Sequence, residues 1–405
     1  MNSLKFLFIL FIAVYGINYG QEIQIKSLKA YTEQRSALPI FFHNKKLNIE
    51  FDVEAAAKPN LVIVFRFCDK NWKPYDNIFL RNVGSDIERN LILQRLPSPV
   101  IQAQYHYAGF FPNQNKYVSF PYDGNWRFYV TGFMDTSRIY AQGKFFVVDT
   151  LTNLKVFKKN EQLEDKNYFP TDLNKVFNIE TNFYLPRDFI PSDVQGIEII
   201  ENHKVDYPEF IDRNLNTNTK QFYWDGDRSF KFIDRQIRPG NGNRETDFRD
   251  INQYNSQNIN AQIDGTEYSR FFQFSDNDLN GGDILLNYDN NNATYLNVTF
   301  SFEPPNNDYS NIFIVGSFNN WKVSPEYQMK RSGELFSIIK SLKRGIYDYQ
   351  YVTADLNGNQ ISNIDWYVFE GNFYETSNDY YIFLYYNDPD YGGYDRIIGF
   401  YKLKT

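Results

Sequence analysis

The chain has 405 residues, 19% of them aromatic with 32 Tyr and 38 Phe, a formal net charge of −7 and a single cysteine. That length is too great for one small core and suits roughly two to four domains. An acidic balance without any basic run excludes a nucleic-acid footprint, and one cysteine, Cys68, excludes an intramolecular disulfide.

The N-terminus reads MNSLKFLFILFIAVYGINYGQ, with Lys5 ahead of an apolar run from Phe6 to Val14 and small residues at Gly16 and Gly20. This pattern predicts a secretory signal peptide over residues 1–20. The apolar run is about half of the roughly 20 residues a membrane span needs. The expectation is therefore an exported, soluble protein held together by its cores, without a membrane span of its own.

Helical periodicity is nearly absent. Short apolar or alternating runs recur instead, bounded by Gly, Pro, Asn and Asp clusters. Strands are predicted at "NLVIVFRF" (60–67), "WRFYVTGF" (126–133), "GKFFVVD" (143–149), "YLNVTFSF" (295–302), "ELFSIIKSL" (334–342), "YDYQYV" (347–352) and "DYYIFLYY" (379–386). Tyr, Phe, Val, Ile and Thr fit a pleated, half-buried surface. The fold class is all-β, read as tandem immunoglobulin-like or early-set β-sandwiches. Three blocks follow the leader: a sandwich over 21–151, a β-rich middle block over 152–288 and an early-set-like sandwich over 289–405. Within the middle block, "RPGNGNRETDFRDINQYNSQNINAQ" lacks periodicity and reads as a long polar loop.

Enzyme signatures are missing. His43, His106 and His203 are too scattered for a metal spacing, so no metal or cofactor is expected. Cys68 sits at an apolar strand end without a paired histidine, as a packed thiol does. No Gly-rich phosphate loop and no Gly-X-Ser-X-Gly elbow is present. With 49 acidic residues, any two carboxylates could fall together by chance. Catalytic residues are therefore expected to be none. Asp395 and Arg396 are adjacent and are expected to form a local ion pair of little energy if exposed.

The stretch "IFIVGSFNNWK" (312–322) runs a strand into Gly316, an Asn pair at Asn319 and Asn320, and then Trp321. Gly lets the strand turn, and Asn occupies left-handed backbone or caps the turn. Trp321 then either folds back over the sandwich edge or stands out as a flat platform. With "LKRGIYDYQYV" following, the region resembles glycogen-binding modules. That resemblance implies an alternative function, glycan binding by stacking on Trp321 and Trp366.

A second resemblance spans most of the chain. "FRFCDKNWKP" (65–74), "YHYAGFFPN" (105–113) and "DGNWRFYV" (123–130) are similar, in order, to segments of the type IX secretion system plug proteins. So is the end of the chain, where Glu370-Gly371-Asn372-Phe373-Tyr374-Glu375-Thr376 is followed by Asn378-Asp379-Tyr380, Tyr385-Tyr386 and Tyr394-Asp395-Arg396. "RETDFRDI" (244–251) matches loosely. The resemblance implies a non-catalytic periplasmic protein, associated with the outer membrane, that binds the translocon barrel and closes its periplasmic mouth. Aromatic rings with polar tips are enriched at interfaces. The interface candidates are Tyr105, Tyr107, Phe110 and Phe111, with Tyr391 and Tyr394, against the competing account of ordinary packing.

Overall fold

The computed structural model describes residues 23–113, 117–163 and 171–405. The signal-peptide segment lies outside the described residues. Among them, no helix is long and apolar enough to cross a membrane. Among the described residues the fold is all-β, six sheets of four or five strands paired into three β-sandwiches.

The first sandwich faces a sheet of Gln24–Tyr31, Leu47–Glu54, Tyr105–Phe111 and Gln94–Arg95 against one of Ile40–Phe42, Ile139–Val148, Gly124–Gly132, Leu61–Cys68 and Ile87–Glu88. The strand Leu47–Glu54 alternates strictly, so Leu47, Ile49, Phe51 and Val53 point into the core. The strand Leu61–Cys68 is largely apolar on both faces because both are covered: Leu61, Ile63, Phe65 and Phe67 fill this core, and Val62, Val64 and Cys68 on the other face are buried as well.

The second sandwich combines Lys155–Gln162, Lys175–Tyr184, Ser229–Ile237 and Lys220–Trp224 with a sheet of Glu209–Asp212, Val194–Glu201, Asp379–Asp388 and Tyr394–Lys404. The final hairpin thus differs from its place in the sequence reading. It leaves the C-terminal block and runs antiparallel to Val194–Glu201, with Ile197 opposite Leu384. The run "DYYIFLYY" is aromatic on both faces for a physical reason. Tyr380, Ile382, Leu384 and Tyr386 fill the second core, while Tyr381, Phe383 and Tyr385 pack onto the first sandwich.

The third sandwich lies within this second one along the chain, which leaves at Ile237 and returns at Asp379. The strand Gly345–Asn357 is flanked by Arg244–Asp247 and Asp283–Leu285, and it also pairs with Ile312–Gly316 and Gln360–Asp365. The facing sheet is built on Tyr295–Glu303 and Leu335–Lys343. Leu296, Val298, Phe300 and Phe302 point inward against Tyr347, Tyr349 and Tyr351. The stretch over 238–262 is accordingly not a free loop. It contributes the short strands Arg244–Asp247 and Asn258–Asn260, whose polar residues suit sheet edges rather than a periodic core strand.

Candidate functional site

The motifs that carry the family resemblance occupy the joints between sandwiches. In "FRFCDKNWKP" the Asp69 carboxylate accepts the N–H groups of Asn71 and Lys73 at 2.9 and 2.8 Å, closing a tight turn. The turn puts Trp72 at φ 65°, left-handed backbone that a bulky residue adopts only when its surroundings demand it. Trp72 is buried edge-on against Phe146, with the Lys144 ammonium 4.5 Å from its ring centre. From the same turn the Lys70 N–H donates to Asp395 at 2.8 Å, and Lys70 Nζ donates to Gln195 at 2.6 Å. Asp395 is thus spent on the first and second sandwiches together, and it does not pair with Arg396. The Arg396 guanidinium lies 3.1 Å from Asp123 of the first sandwich and 3.1 Å from Asp388. His43 makes a 2.7 Å hydrogen bond to the other Asp123 oxygen.

The first and third sandwiches meet at a buried knot. Asp52 is contacted by His106 at 2.7 Å, Lys343 Nζ at 2.8 Å and the Tyr295 hydroxyl at 2.9 Å. Burial alone would raise the Asp52 carboxyl. The His106 hydrogen bond and the Lys343 charge outweigh it and hold the group below the usual carboxylate range. Tyr288 stacks on His106 with ring centres 4.0 Å apart.

The second and third sandwiches are tied by "EGNFYETSND". Asn372 Nδ2 donates to the Leu173 and Lys175 carbonyls at 2.9 and 3.0 Å. Asn378 Nδ2 donates to Pro239 O at 2.7 Å, and its Oδ1 accepts from Asn202 at 2.8 Å. Glu370 anchors the segment through Arg244 and Arg270, both at 2.8 Å. Burial pushes the Glu370 carboxyl up, but the two guanidinium groups hold it below its ordinary range. Each sandwich therefore touches both others through buried, hydrogen-bonded polar groups, an arrangement that resists hinge motion, although Trp72 Nε1 and His106 Nε2 at these joints have no hydrogen-bond partner among the described residues.

The candidates named from the sequence are scattered rather than brought together. Tyr105 to Phe111 forms a strand, with Tyr107 and Phe111 in the first core and Phe110 half-buried under the Lys46 ammonium. Tyr394 also enters that core. Trp321 is 1% exposed, at φ 60°, with its indole N–H donating to Gly281 O at 2.7 Å. It is therefore a packed residue and not an open platform. Trp366 is half-buried, edge-on to Tyr207 with ring centres 5.2 Å apart and with the Lys204 ammonium 4.7 Å from its ring centre. Cys68 is buried, and burial pushes its thiol up to about 12, far from thiolate chemistry at neutral pH. Among the described residues there is no cluster of three or more His, Cys, Asp or Glu fit to hold a metal ion.

Tyr391 alone of these candidates is well exposed, at 49%. It stacks on Phe79, which is 64% exposed, with ring centres 5.6 Å apart. Asn77 Nδ2 donates to Tyr391 O at 2.7 Å, and the Tyr122 hydroxyl donates to Phe79 O at 2.8 Å, so the two loops hold each other. Ile78 and Val83 of the same loop are also exposed. Sequence reasoning missed Phe79. The signal available was the Ile78-Phe79-Leu80 triplet in an otherwise polar loop, of which only Leu80 is buried.

Comparison with known proteins agrees with both resemblances. Residues 25–149 match the family model "Type 9 secretion system plug protein 1st domain", and residues 298–359 match "Glycogen recognition site of AMP-activated protein kinase". Both are non-catalytic kinds of domain. A search of curated proteins returns no match. Among solved structures, a hypothetical protein from Parabacteroides merdae ATCC 43184 superposes with a TM-score of 0.75 at 19% identity, covering 95% of this chain and 99% of that one. That likeness is one of fold. A chimeric titin Z1Z2 tandem aligns over 51% of this chain and 85% of its own at 10% identity, with a TM-score of 0.19.

Proposed function

We propose that this chain is a non-catalytic periplasmic component of the type IX secretion machinery that binds the outer-membrane translocon barrel and plugs its periplasmic opening. The match of the first sandwich to the plug-protein first domain carries this reading. The fold supports it: an obstruction has to be broad and stiff, and three sandwiches joined pairwise by buried polar knots supply that without chemistry. Release on arrival of cargo needs only a differential affinity between the empty and occupied channel.

The docking surface is assigned to the ridge of Phe79, Ile78, Val83 and Tyr391. Exposed apolar groups that cluster, rather than scatter singly, mark interaction sites, and aromatic anchors carry most interface energy. Tyr107, Phe111 and Tyr394 are buried in the first core, and Tyr105 and Phe110 are half-buried, so they offer less ring surface than the ridge.

Tagged protein purified from its own envelope after crosslinking tests the reading. Recovery of a very large outer-membrane barrel supports it, and a clean monomer without any barrel overturns it. The match over 298–359 keeps glycan binding as the alternative, although of its two stacking candidates Trp321 is covered and Trp366 is half-buried.

A further inference from the structure

The three sandwiches leave a cavity of about 220 Å³ where they converge. The first contributes Arg127 and Lys144, the second His203 and Asp206, and the third Asp283 and the turn Ser317–Trp321. The cavity opens into a wider groove between the first and third sandwiches, and Gln142, Asn320 and Lys322 line both. Such a volume is about that of seven waters, or of one small organic acid.

Charge in the cavity is not balanced. Lys29 is paired with Asp283, Lys144 with Asp206 and Arg35 with Glu50. Arg127 pairs with no carboxylate among the described residues, and its buried Nε has no hydrogen-bond partner. Its cross-strand neighbours are cations on both sides, Arg66 and Lys144. His203 adds no charge to the wall, because burial and the nearby Lys29 ammonium push its pKa down to about 4. The partly buried Arg127 guanidinium is therefore left inside the cavity without a compensating carboxylate, in a chain whose net charge is −7.

We propose that this cavity is a carboxylate-binding site, with Arg127 as the receptor of the anion and Lys322 at the point where the cavity meets the groove. A carboxylate matches the planar guanidinium fork and carries the one charge that is left over. A phosphate dianion would need a second unpaired cation inside, and the other interior cations are already committed. The carboxylate can belong to a free small acid that fills the cavity, or to an acidic side chain of a peptide lying in the groove.

The two sources separate by titration calorimetry on the purified full chain. Sodium butyrate serves as the free acid, N-acetyl-aspartate amide as the peptide-borne group, and inorganic phosphate as the control, all at matched ionic strength. Saturable binding of a carboxylate probe is expected, with phosphate binding at least about ten-fold weaker and Arg127→Gln weakening the carboxylate by at least about ten-fold. Tighter binding of butyrate assigns the site to a free acid, and tighter binding of the blocked aspartate assigns it to a peptide. If Arg127→Gln does not fold, Arg127→Lys retains the charge without the fork and is expected to weaken binding in the same direction. No saturable binding of either carboxylate to the wild-type chain at millimolar concentrations overturns the proposal. So does equal binding of phosphate, or undiminished binding in the variants. The measurement needs no secretion channel, so its outcome is independent of the plug reading.

Discussion

Asp52 and Lys343 are 291 residues apart in the chain and 2.8 Å apart in space, both buried, with one side chain from the first sandwich and the other from the third. Removing one partner of such a pair costs far more than the pair contributes, and without Lys343 the buried Asp52 charge keeps only His106 and the Tyr295 hydroxyl against it. Lys343→Met is accordingly expected to lower stability by about 3–5 kcal/mol. Asp52→Asn added to Lys343→Met removes the stranded charge and is expected to recover part of the loss. Urea denaturation of the two variants checks this. A single variant as stable as wild type would mean that the joint carries no strain-bearing charge.

Trp321 gives the sharpest separation between scaffold and sugar site. Its indole is enclosed by Phe313, Val315, Val323 and Val352 and hydrogen-bonded to Gly281 O. Trp321→Ala is expected to cost roughly 3–5 kcal/mol, the range for truncating a large buried aromatic. Wild-type protein is expected not to be retained on insoluble starch. Retention of wild type that is lost in Trp321→Ala, with no change in melting temperature, would establish the sugar platform instead.

Much of the fold was legible in the sequence, and the reason is local. Alternation in "YLNVTFSF" and full apolarity in "NLVIVFRF" report how many faces of a strand are covered, so strand existence and class follow directly. What covers a face is not local. "DYYIFLYY" reads as buried on both sides, but nothing in it says that its partner is Val194–Glu201 and not a neighbour in the third sandwich. The Asn-Trp turn at 319–321 was visible as a turn, whereas the one at Asn71-Trp72 was not. The burial of Trp72 and Trp321 is decided by Phe146 and Gly281, residues far away in sequence. The exposed ridge was half-legible: Tyr391 stood out in a Gly-rich turn, while Phe79 looked like any apolar residue of a loop.

Glu198 makes stability depend on pH. It is buried between the first two sandwiches, where it accepts a hydrogen bond from the Tyr385 hydroxyl at 2.9 Å. Burial pushes its carboxyl up to about 7, against the opposing pull of that hydrogen bond and of the Lys144 charge. An unfolded Glu titrates near 4.3. Between these values the folded protein keeps a proton that the unfolded chain has lost. The stabilisation from this group is thus full below about 4.3 and is lost as pH rises through about 7. Asp234, pushed up to about 7 mainly by burial, acts in the same sense. Glu198→Gln is expected to flatten the decline between about pH 5 and about pH 8 by up to roughly 3 kcal/mol relative to wild type. Urea midpoints of the two proteins that fall in parallel over this window would show that Glu198 is not the titrating group.

The ridge at Phe79 and Tyr391 allows docking to be separated from folding. Both rings are largely solvent-exposed, and what they give each other is one stacked contact, worth about 0.5–1.5 kcal/mol beyond area burial. The double variant Phe79→Ser, Tyr391→Ser should therefore stay folded, with a loss of no more than about 1.5 kcal/mol. At an interface the same two rings would be anchors, and truncating an anchor costs about 2 kcal/mol or more in binding. Recovery of the outer-membrane barrel with the tagged double variant is expected to fall by more than about ten-fold. Tyr107→Phe serves as the contrast: it changes a buried hydroxyl of the first core and should leave recovery untouched. Barrel recovered in equal amounts with the ridge variant would move the docking surface elsewhere on the three sandwiches, and the exposed edge at Tyr223 and Trp224 of the second would be the next to truncate.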